Sequence, residues 1–255
     1  MRLELSHRTW KVFWRNFIVF RKTWLANIMF NFIEPLLYLG AMGVGLGAYV
    51  PSIEGLSYLQ FIAPGLIASS AMWATASECT YDSFTRMRYQ KVYHALIVTP
   101  ISLEEIVLGE ILFGTFKGVL YGTVILLVVA ALGLVPSSWS LLVPPVLALS
   151  CFAFAELSMM WTGLVPKMET FSYYFTLVIT PMFLFSGVFF PLQGMPSPTR
   201  QIAFFSPLYH AVELVRSLTL GQVTSILWVH ILWLIGFAAL FFYPPIYLLK
   251  RRLLK

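Results

Sequence analysis

Long apolar runs, separated by short polar segments, dominate the pattern of this chain. A helix that crosses a membrane needs about 20 mostly apolar residues, and six runs reach that length. They occupy residues 23–48, 57–80, 105–134, 140–163, 171–191 and 224–249. The pattern therefore predicts an all-α membrane protein with six transmembrane helices, in a single transmembrane domain that covers residues 1–255.

Residues 1–22 have a different pattern. Apolar and aromatic side chains recur there at helical spacing, and basic side chains fill most of the other positions. The apolar set is Leu3, Trp10, Phe13, Trp14, Phe17 and Ile18, and the basic set is Arg2, Arg8, Lys11, Arg15, Arg21 and Lys22. This arrangement is typical of an amphipathic helix that lies in the membrane interface. A solvated helix is the alternative, and the dense Trp and Phe content favours the interface.

Basic residues divide unequally between the two sides of the predicted membrane. With the N-terminus in the cytoplasm, fourteen Lys and Arg residues lie on the cytoplasmic side and two, Arg200 and Arg216, on the outer side. The remaining one, Lys117, lies within a span. Cytoplasmic loops carry the excess of basic residues in membrane proteins. Both termini are therefore predicted to be cytoplasmic.

Residues 192–220 follow the fifth predicted span and are only partly apolar. Within them, residues 202–220 contain Pro207 and three ionisable side chains, His210, Glu213 and Arg216. Ionisable groups are costly at membrane depth, and a seventh crossing would move the basic tail to the outer side. We therefore predict a re-entrant or surface helical pair on the outer side, where protein or water shields any irregular backbone.

The longest predicted cytoplasmic connection, residues 81–104, is basic. Its apolar positions suggest one helical face and its basic positions the others, which predicts a short helix at residues 84–97, parallel to the membrane. A solvated basic loop is an equally good alternative. Ser102 and Glu105 then form a capping-box pattern, which marks the start of the third span.

Composition supports the membrane assignment and argues against a soluble domain, a nucleic-acid-binding protein and a disulfide-rich or zinc-binding protein. Apolar residues make up 59% of the chain and charged residues 11%, whereas a soluble domain carries about 25% charged residues. The net charge of +6 is spread over the ends of apolar runs, so nucleic acid is not predicted as a partner. Cys79 and Cys151 lie within apolar runs, without the spacing of a disulfide framework or a zinc site. The charged N-terminus lacks the pattern of a signal peptide.

Several charged residues fall within or at the ends of the predicted spans: Glu34, Glu78, Glu110, Lys117 and Glu156. A charge inside a membrane is a functional candidate, because its burial must be compensated. Glu110 and Lys117 are two turns apart on the third span, and we interpret them as a structural pair. Glu34 and Glu156 fit either a role in transport or a role in packing.

The sequence GTFKGVLYG places Gly114, Gly118 and Gly122 on one stripe of the third span. Small residues at this spacing let membrane helices approach closely. We therefore predict a helix-packing face there, although glycine is common in membrane helices.

Motifs of enzyme chemistry are missing from the sequence. It has no H-E-x-x-H, no G-x-S-x-G and no Asp-rich metal motif, and its four His residues are scattered. It also lacks the G-x-x-x-x-G-K-[ST] pattern of a P-loop. We predict no catalytic residues, no metal site and no ATP site in this chain.

Two stretches near the C-terminus, FLFSGVFFPLQGMPSP and SPLYHAVELVRSL, carry a family resemblance. They resemble the C-terminal signature of permease subunits of bacterial ABC exporters of the second integral-membrane type. The matching positions are Ser186, Gly187, Phe190, Pro191, Pro207, Leu208, Glu213, Leu214 and Arg216. Residues 95–110 are similar to the segment that follows the coupling helix of that family. Within it, IEPLLYLGAMGVGLG, FIAPGLIASSAM and the tail RRLL resemble the nodulation-protein-J group, which exports lipo-oligosaccharides.

The resemblance implies a complete exporter built from several chains. Two copies of the permease, a homodimer, would work in the bacterial cytoplasmic (inner) membrane with two P-loop ATPase subunits, which would bind ATP and Mg. Residues 1–22 would be the connecting helix and residues 84–97 the coupling helix. The docking candidates on the coupling helix are Arg86, Met87, Arg88, Lys91 and His94. The outer segment, with Pro191, Pro207, Glu213 and Arg216, would cap the exit.

The second and fifth spans of the two copies would line the pathway. Pathway candidates are Glu34, Tyr173, Tyr174, Phe183 and Phe185. Aromatic faces pack against acyl chains or stack on sugar rings, and lipid-facing aromatics are the alternative. The implied cargo is a glycolipid or lipo-oligosaccharide; efflux of hydrophobic drugs is an alternative, and a membrane-embedded transferase or a non-transporting scaffold fits less well.

Overall fold

The computed structural model describes the backbone of residues 6–50, 52–53 and 55–253, and the side chains of all of these except residues 25–32, 34 and 44. The described part of the chain is helical and contains no β-strand beyond an isolated bridge between Ile53 and Leu56. The α-helices are α1 (Arg8–Gly40), α2 (Tyr58–Ser77), α3 (Val92–Ile97), α4 (Leu103–Ala131), α5 (Val143–Leu164), α6 (Phe171–Tyr174), α7 (Thr180–Phe185), α8 (Ser197–Phe204), α9 (Pro207–Leu220), α10 (Leu227–Phe241) and α11 (Tyr243–Leu253). The all-α class predicted from the sequence is confirmed.

Four helical stretches in the described chain are long and apolar enough to cross a membrane. They are Tyr58–Tyr89, Leu103–Ala131, Ser138–Leu164 and Leu227–Leu253, and they correspond to the second, third, fourth and sixth predicted spans. The fifth predicted span, residues 171–191, is helical only as far as Phe185, because the chain then turns through Gly187 at φ 74°. The six-span topology therefore stays a prediction.

Helix α1 runs without a break through the predicted boundary between residues 22 and 23. The interfacial helix and the start of the first predicted span are therefore one helix, with Pro35 inside it. Phe13 and Phe20 are buried against Phe113 of α4, whereas Trp10 and Trp14 are about half exposed. The predicted apolar stripe is thus divided between a protein-facing side and an outward side. Leu3 lies outside the described residues.

The predicted coupling helix at residues 84–97 is wrong as a single helix. The second span continues past α2 to Tyr89 through two π-helical turns, Glu78–Asp82 and Thr85–Tyr89; the whole stretch Tyr58–Tyr89 is here called the extended α2. The chain then reverses at Lys91, which has φ 54° and ψ 25°. A left-handed residue cannot continue a right-handed helix, so only the short helix α3 follows as a separate element.

Close packing between α4 and its neighbours follows the glycine stripe. A methyl group added at Gly118 would lie 2.7 Å from the Cys151 sulfur and 2.8 Å from the Ala71 carbonyl oxygen. A methyl group added at Gly122 would lie 3.0 Å from the Ala71 side chain. One added at Gly114 would likewise be close to the second span, 3.8 Å from the Thr75 carbonyl oxygen. These three glycines are the positions at which α2 presses on α4, and α5 also reaches two of them.

Residues 192–220 form two helices, α8 and α9, and Pro207 opens α9 at its first turn. Most of α9 is buried against α2, α5 and α10. The Ser206 and Ser186 hydroxyls are 2.7 Å apart and join the start of α9 to the turn that follows α7. The outer segment is therefore a packed helical pair rather than a loose cap.

Candidate functional site

Six charged side chains from α1, the extended α2 and α4 meet in one cluster, here called the ion network. Its members are Arg15, Glu78, Asp82, Arg86, Glu110 and Lys117. Three are basic and three acidic, so their formal charges balance. This cluster lies at the predicted cytoplasmic end of the helices.

Arg86 is the centre of the ion network. Its Nη2 donates to Glu78 Oε1 at 2.6 Å and to Glu110 Oε2 at 2.5 Å. Glu110 also accepts from Arg15 at 3.2 Å and from Asn16 at 3.0 Å. The Glu110 side chain is fully buried and that of Glu78 is 3% exposed. Buried carboxylates of this kind need several partners to offset their lost hydration, and here the partners come from two other helices.

Lys117 completes the network from α4. Its Nζ donates to Glu78 Oε2 at 2.6 Å and to Asp82 Oδ2 at 3.1 Å. The predicted structural pair of Glu110 with Lys117 is therefore wrong. Seven residues along a helix separate two side chains by about 10 Å. Each instead pairs with the extended α2: Glu110 with Arg86, and Lys117 with Glu78 and Asp82.

A cavity of about 310 Å³ opens beside the ion network between α1, α2 and α4. Arg15, Glu78 and Lys117 form part of its polar wall, and Phe20 and Phe113 form part of its apolar wall. The charged network therefore borders an open space between the three helices.

The docking candidates separate into two groups. Arg86 belongs to the ion network and Met87 is 2% exposed in the core. Arg88, Lys91 and His94 are exposed; they lie within residues 88–94, here called the basic turn.

The basic turn is anchored on its inner side by Tyr93. The Tyr93 side chain is buried, and its hydroxyl lies 2.7 Å from that of Ser83. Burial raises the pKa of the Tyr93 hydroxyl well above its usual value, so the hydroxyl keeps its proton. The turn therefore presents basic side chains outward while it is fixed to α2.

The N- and C-terminal helices are tied to the start of α4. Ser102 and Glu105 form the predicted capping box, and the Ser6 hydroxyl donates to Glu105 Oε1 at 2.5 Å. Lys250 Nζ donates to Glu104 Oε1 at 2.7 Å. The segment before α1 and the last helix, α11, are thus both bound to the first turn of α4.

On the other end of the bundle, Arg216 joins α9 to its surroundings. Its Nη1 donates to Glu213 Oε1 at 2.8 Å and its Nη2 donates to the Gly187 carbonyl at 2.6 Å. Its guanidinium lies 4.3 Å above the Phe61 ring of α2. Pro191 is half-buried in the same turn. The signature residues of the outer segment therefore hold α2, α9 and the turn at 186–191 together.

The pathway candidates do not share one environment. Tyr173 and Phe185 are 62% and 47% exposed, whereas Tyr174 and Phe183 are buried. The Tyr174 hydroxyl lies 2.9 Å from that of Ser158, and Phe183 stacks edge-on with Phe189. Glu34 lies outside the described side chains. Of the four candidates whose side chains are described, Tyr173 and Phe185 face outward from the bundle.

The structure adds one buried polar contact that was not anticipated from the sequence, and it shows the surroundings of the candidate Glu156. His210 Nδ1 lies 2.8 Å from His230 Nδ1 and His210 Nε2 lies 2.8 Å from the Phe204 carbonyl oxygen, which links α9 to α10. Glu156 is fully buried, and neither of its carboxylate oxygens has a hydrogen-bond partner among the described residues. The scattered histidines were visible in the sequence, but nothing in their spacing predicted a contact.

The described chain is a helical bundle with four stretches that are long and apolar enough to cross a membrane, a buried ion network at one end and a packed helical pair at the other. This architecture is that of a multi-pass membrane protein. The family model of the ABC-2 type transporter matches residues 7–220, and the chain belongs to this family. It is a multi-pass protein of the cytoplasmic membrane and a transporter subunit rather than an enzyme.

Individual relatives extend the match over nearly the whole chain. Nodulation protein J of Rhizobium meliloti (strain 1021) is 39% identical over 246 residues, which cover 96% of this chain and 94% of that relative. Nodulation protein J of Sinorhizobium fredii (strain NBRC 101917 / NGR234) is 37% identical over 248 residues, with 96% and 94% covered. Inner membrane transport permease YadH of Escherichia coli (strain K12) is 27% identical over 205 residues, 79% of this chain and 78% of its own. The resemblance predicted from the sequence motifs is confirmed.

Proposed function

We propose that this chain is the membrane subunit of an ATP-driven exporter that moves an amphipathic glycolipid or lipo-oligosaccharide out of the cytoplasmic membrane. The cargo class follows from the likeness to the nodulation-protein-J group. Two permease copies form one pathway, and two separate P-loop ATPase subunits bind and hydrolyse ATP with Mg.

The position of the ion network directly behind the basic turn carries this proposal. Arg88 is exposed, and Arg86, two residues earlier, is bound to Glu78 and Glu110 in the ion network. A subunit that presses on the exposed basic side chains therefore displaces an element whose ion pairs reach α1 and α4. Buried charged groups have few alternative partners. When Arg86 moves, the helices that carry its partners therefore move with it.

The ATPase subunits dock on Arg88, Lys91 and His94 in this proposal. Arg86 and Met87 act behind the docking surface, because they are bound within the permease. The acidic or polar groups of the ATPase surface pair with the basic turn, and the anchor at Tyr93 converts their motion into a motion of α2.

Efflux of hydrophobic drugs is the second candidate function. The outward face of α6, α7 and the turn between them is apolar, with Tyr173, Leu177, Leu184 and Phe185 exposed. Such a face fits an apolar cargo as well as the acyl chain of a glycolipid.

Purification in lipid nanodiscs, with and without a co-expressed P-loop ATPase, tests the proposal. We expect one ATPase per permease and a rate of ATP hydrolysis that rises with added glycolipid. Stimulation by hydrophobic drugs and none by glycolipid would replace the cargo assignment. A permease that purifies without an ATPase would overturn the exporter mechanism itself.

Charge reversal tests the docking surface. The double variant Lys91→Glu/His94→Glu should lose ATPase binding by about tenfold or more, because it places two negative charges where the acidic groups of the ATPase are expected to dock. Lys167→Glu is the matched control, since Lys167 is exposed in the other predicted cytoplasmic connection. Equal ATPase binding by the double variant and the control would remove the basic turn from the interface.

A further inference from the structure

A polar groove of about 360 Å³ lies at the outer end of the bundle. It is bounded by α8, α9, the turn after Pro191 and the start of α2. The side chains that matter here are Gln193, Arg200, Phe204, Tyr209, Glu213 and Gln222, and together they define the outer groove. Its volume falls within the range of about 300–1,000 Å³ that is typical of small-molecule sites.

The floor of the outer groove is held in place by Arg216. The side chain of Arg216 is 12% exposed and fixes the Glu213 carboxylate at 2.8 Å. The same guanidinium binds the Gly187 carbonyl and lies over the Phe61 ring. Glu213, 28% exposed, is therefore a pre-oriented acceptor at a partly open surface. Pre-orientation of this kind lowers the cost of binding a ligand.

The walls combine hydrogen-bonding groups of both kinds. Gln193 and Gln222 each offer a donor and an acceptor, Arg200 offers donors in a planar fork, and Glu213 offers acceptors. Neighbouring hydroxyls on a sugar ring donate and accept in pairs, which planar carboxylate, amide and guanidinium groups match in geometry.

Aromatic rings supply the second requirement for binding sugars. Phe204 is 41% exposed, and its ring centroid lies 6.4 Å from that of Tyr209. The apolar C–H face of a sugar ring packs against such rings, while its hydroxyls reach the polar groups around them.

Other ligand classes fit less well. An anionic group alone would be opposed by the Glu213 carboxylate, which lines the groove and already pairs with the Arg216 guanidinium. A purely apolar cargo would leave the amides, the guanidinium and the carboxylate without partners, and that is costly. A neutral saccharide satisfies both the polar and the aromatic groups.

The geometry points to a saccharide-binding site in the outer groove, which receives the sugar head group of the cargo as it leaves the membrane. The identification of that head group as cargo rests on the proposed export function. The affinity of the groove for sugars is independent of it and can be measured by itself.

The binding test uses soluble sugars and the intact permease in nanodiscs. Ser197→Cys on α8 carries an environment-sensitive fluorophore, because Ser197 is exposed whereas Cys79 and Cys151 are buried. Cellotetraose, chitotetraose and maltotetraose are titrated in turn, and inorganic phosphate is the competing probe. We expect saturable binding of at least one tetrasaccharide, without competition by phosphate.

Matched variants connect the signal with the groove. Gln222→Ala and Phe204→Ala should each weaken binding by about tenfold, since each removes a hydrogen bond or a ring contact. Gln201→Ala and Phe205→Ala are the controls, because both residues are exposed on or next to α8 but do not line the groove. They should change the affinity by less than about twofold.

The outcomes separate this inference from the proposed function. Absence of saturation with all three sugars, equal effects of lining and control variants, or displacement by phosphate would overturn the saccharide site. Glycolipid-stimulated ATP hydrolysis is measured on the same preparations. If sugars bind but hydrolysis does not respond, the export proposal fails and the groove stands; if hydrolysis responds without sugar binding, only the groove assignment fails.

Discussion

Removal of one charge from the ion network should destabilise the permease strongly. Glu110→Gln keeps the shape of the side chain but removes its charge. The Glu110 side chain is fully buried and contacts Arg86, Arg15 and Asn16. The variant leaves three basic groups facing two acidic ones in a buried site. Breaking a buried ion pair by removing one partner costs about 3–5 kcal/mol.

The same network contains its own control. Asp82 is 48% exposed and makes a longer ion pair, 3.1 Å from the Lys117 amine. Exposed ion pairs contribute about 0–1 kcal/mol, so Asp82→Asn should cost no more than that. The two substitutions change the formal charge equally. Burial alone therefore predicts a difference of about 2–5 kcal/mol between them.

Unfolding in mixed micelles with a rising fraction of SDS measures both costs by far-UV circular dichroism. The ATPase-bound complex reports in parallel whether ATP hydrolysis still responds to glycolipid. We expect Glu110→Gln to lower the unfolding midpoint well below that of Asp82→Asn and to reduce the response. Equal midpoints for the two variants would refute the argument that the network is held by buried charge balance.

Three further predictions use the same unfolding assay. Gly118→Ala should lower the free energy of unfolding by about 1–3 kcal/mol, because the new methyl group is overpacked. Gly236→Ala should raise it by up to about 1 kcal/mol, because the space around the Cβ position is open. The reverse order of stability would contradict the packing of α4 described above. Glu156→Gln should leave stability and transport unchanged, since the buried carboxyl has no partner among the described residues. Loss of transport without loss of stability would instead assign Glu156 a role in transport. Burial and, less strongly, the nearby His230 lower the pKa of His210 to about 4 from 6.5. The unfolded chain therefore binds a proton at higher pH than the folded one, so stability should fall as the pH drops from about 6.5 to about 4, and His210→Gln should flatten this slope.

Local patterns were sufficient for several elements of this protein. Four of the six predicted spans match helices that are long and apolar enough to cross a membrane. The capping box at Ser102 and Glu105 forms as its spacing predicted. These features depend on residues three to twenty positions apart in the chain, and short-range geometry decides them. The motifs around Ser186–Pro191 and Pro207–Arg216 also identified the family correctly.

The candidate site depended on contacts that the sequence does not encode locally. Residues 84–97 appeared to form one basic helix, but the reversal at Lys91 leaves Arg86 inside the ion network and Lys91 outside it. The partners of Glu110 come from α1 and from the extended α2, not from Lys117 on the same helix.

The sequence alone thus determined the class of protein, the helical fold, the four long spans and the family, because each rests on local composition, periodicity or motif. Tertiary structure decided which charges are paired, which docking candidates are exposed and where the outer groove lies. The free energy of a charged side chain depends on the groups within a few ångströms of it. In this bundle those groups come from helices as far apart in sequence as Arg15 and Glu110, or Phe61 and Arg216.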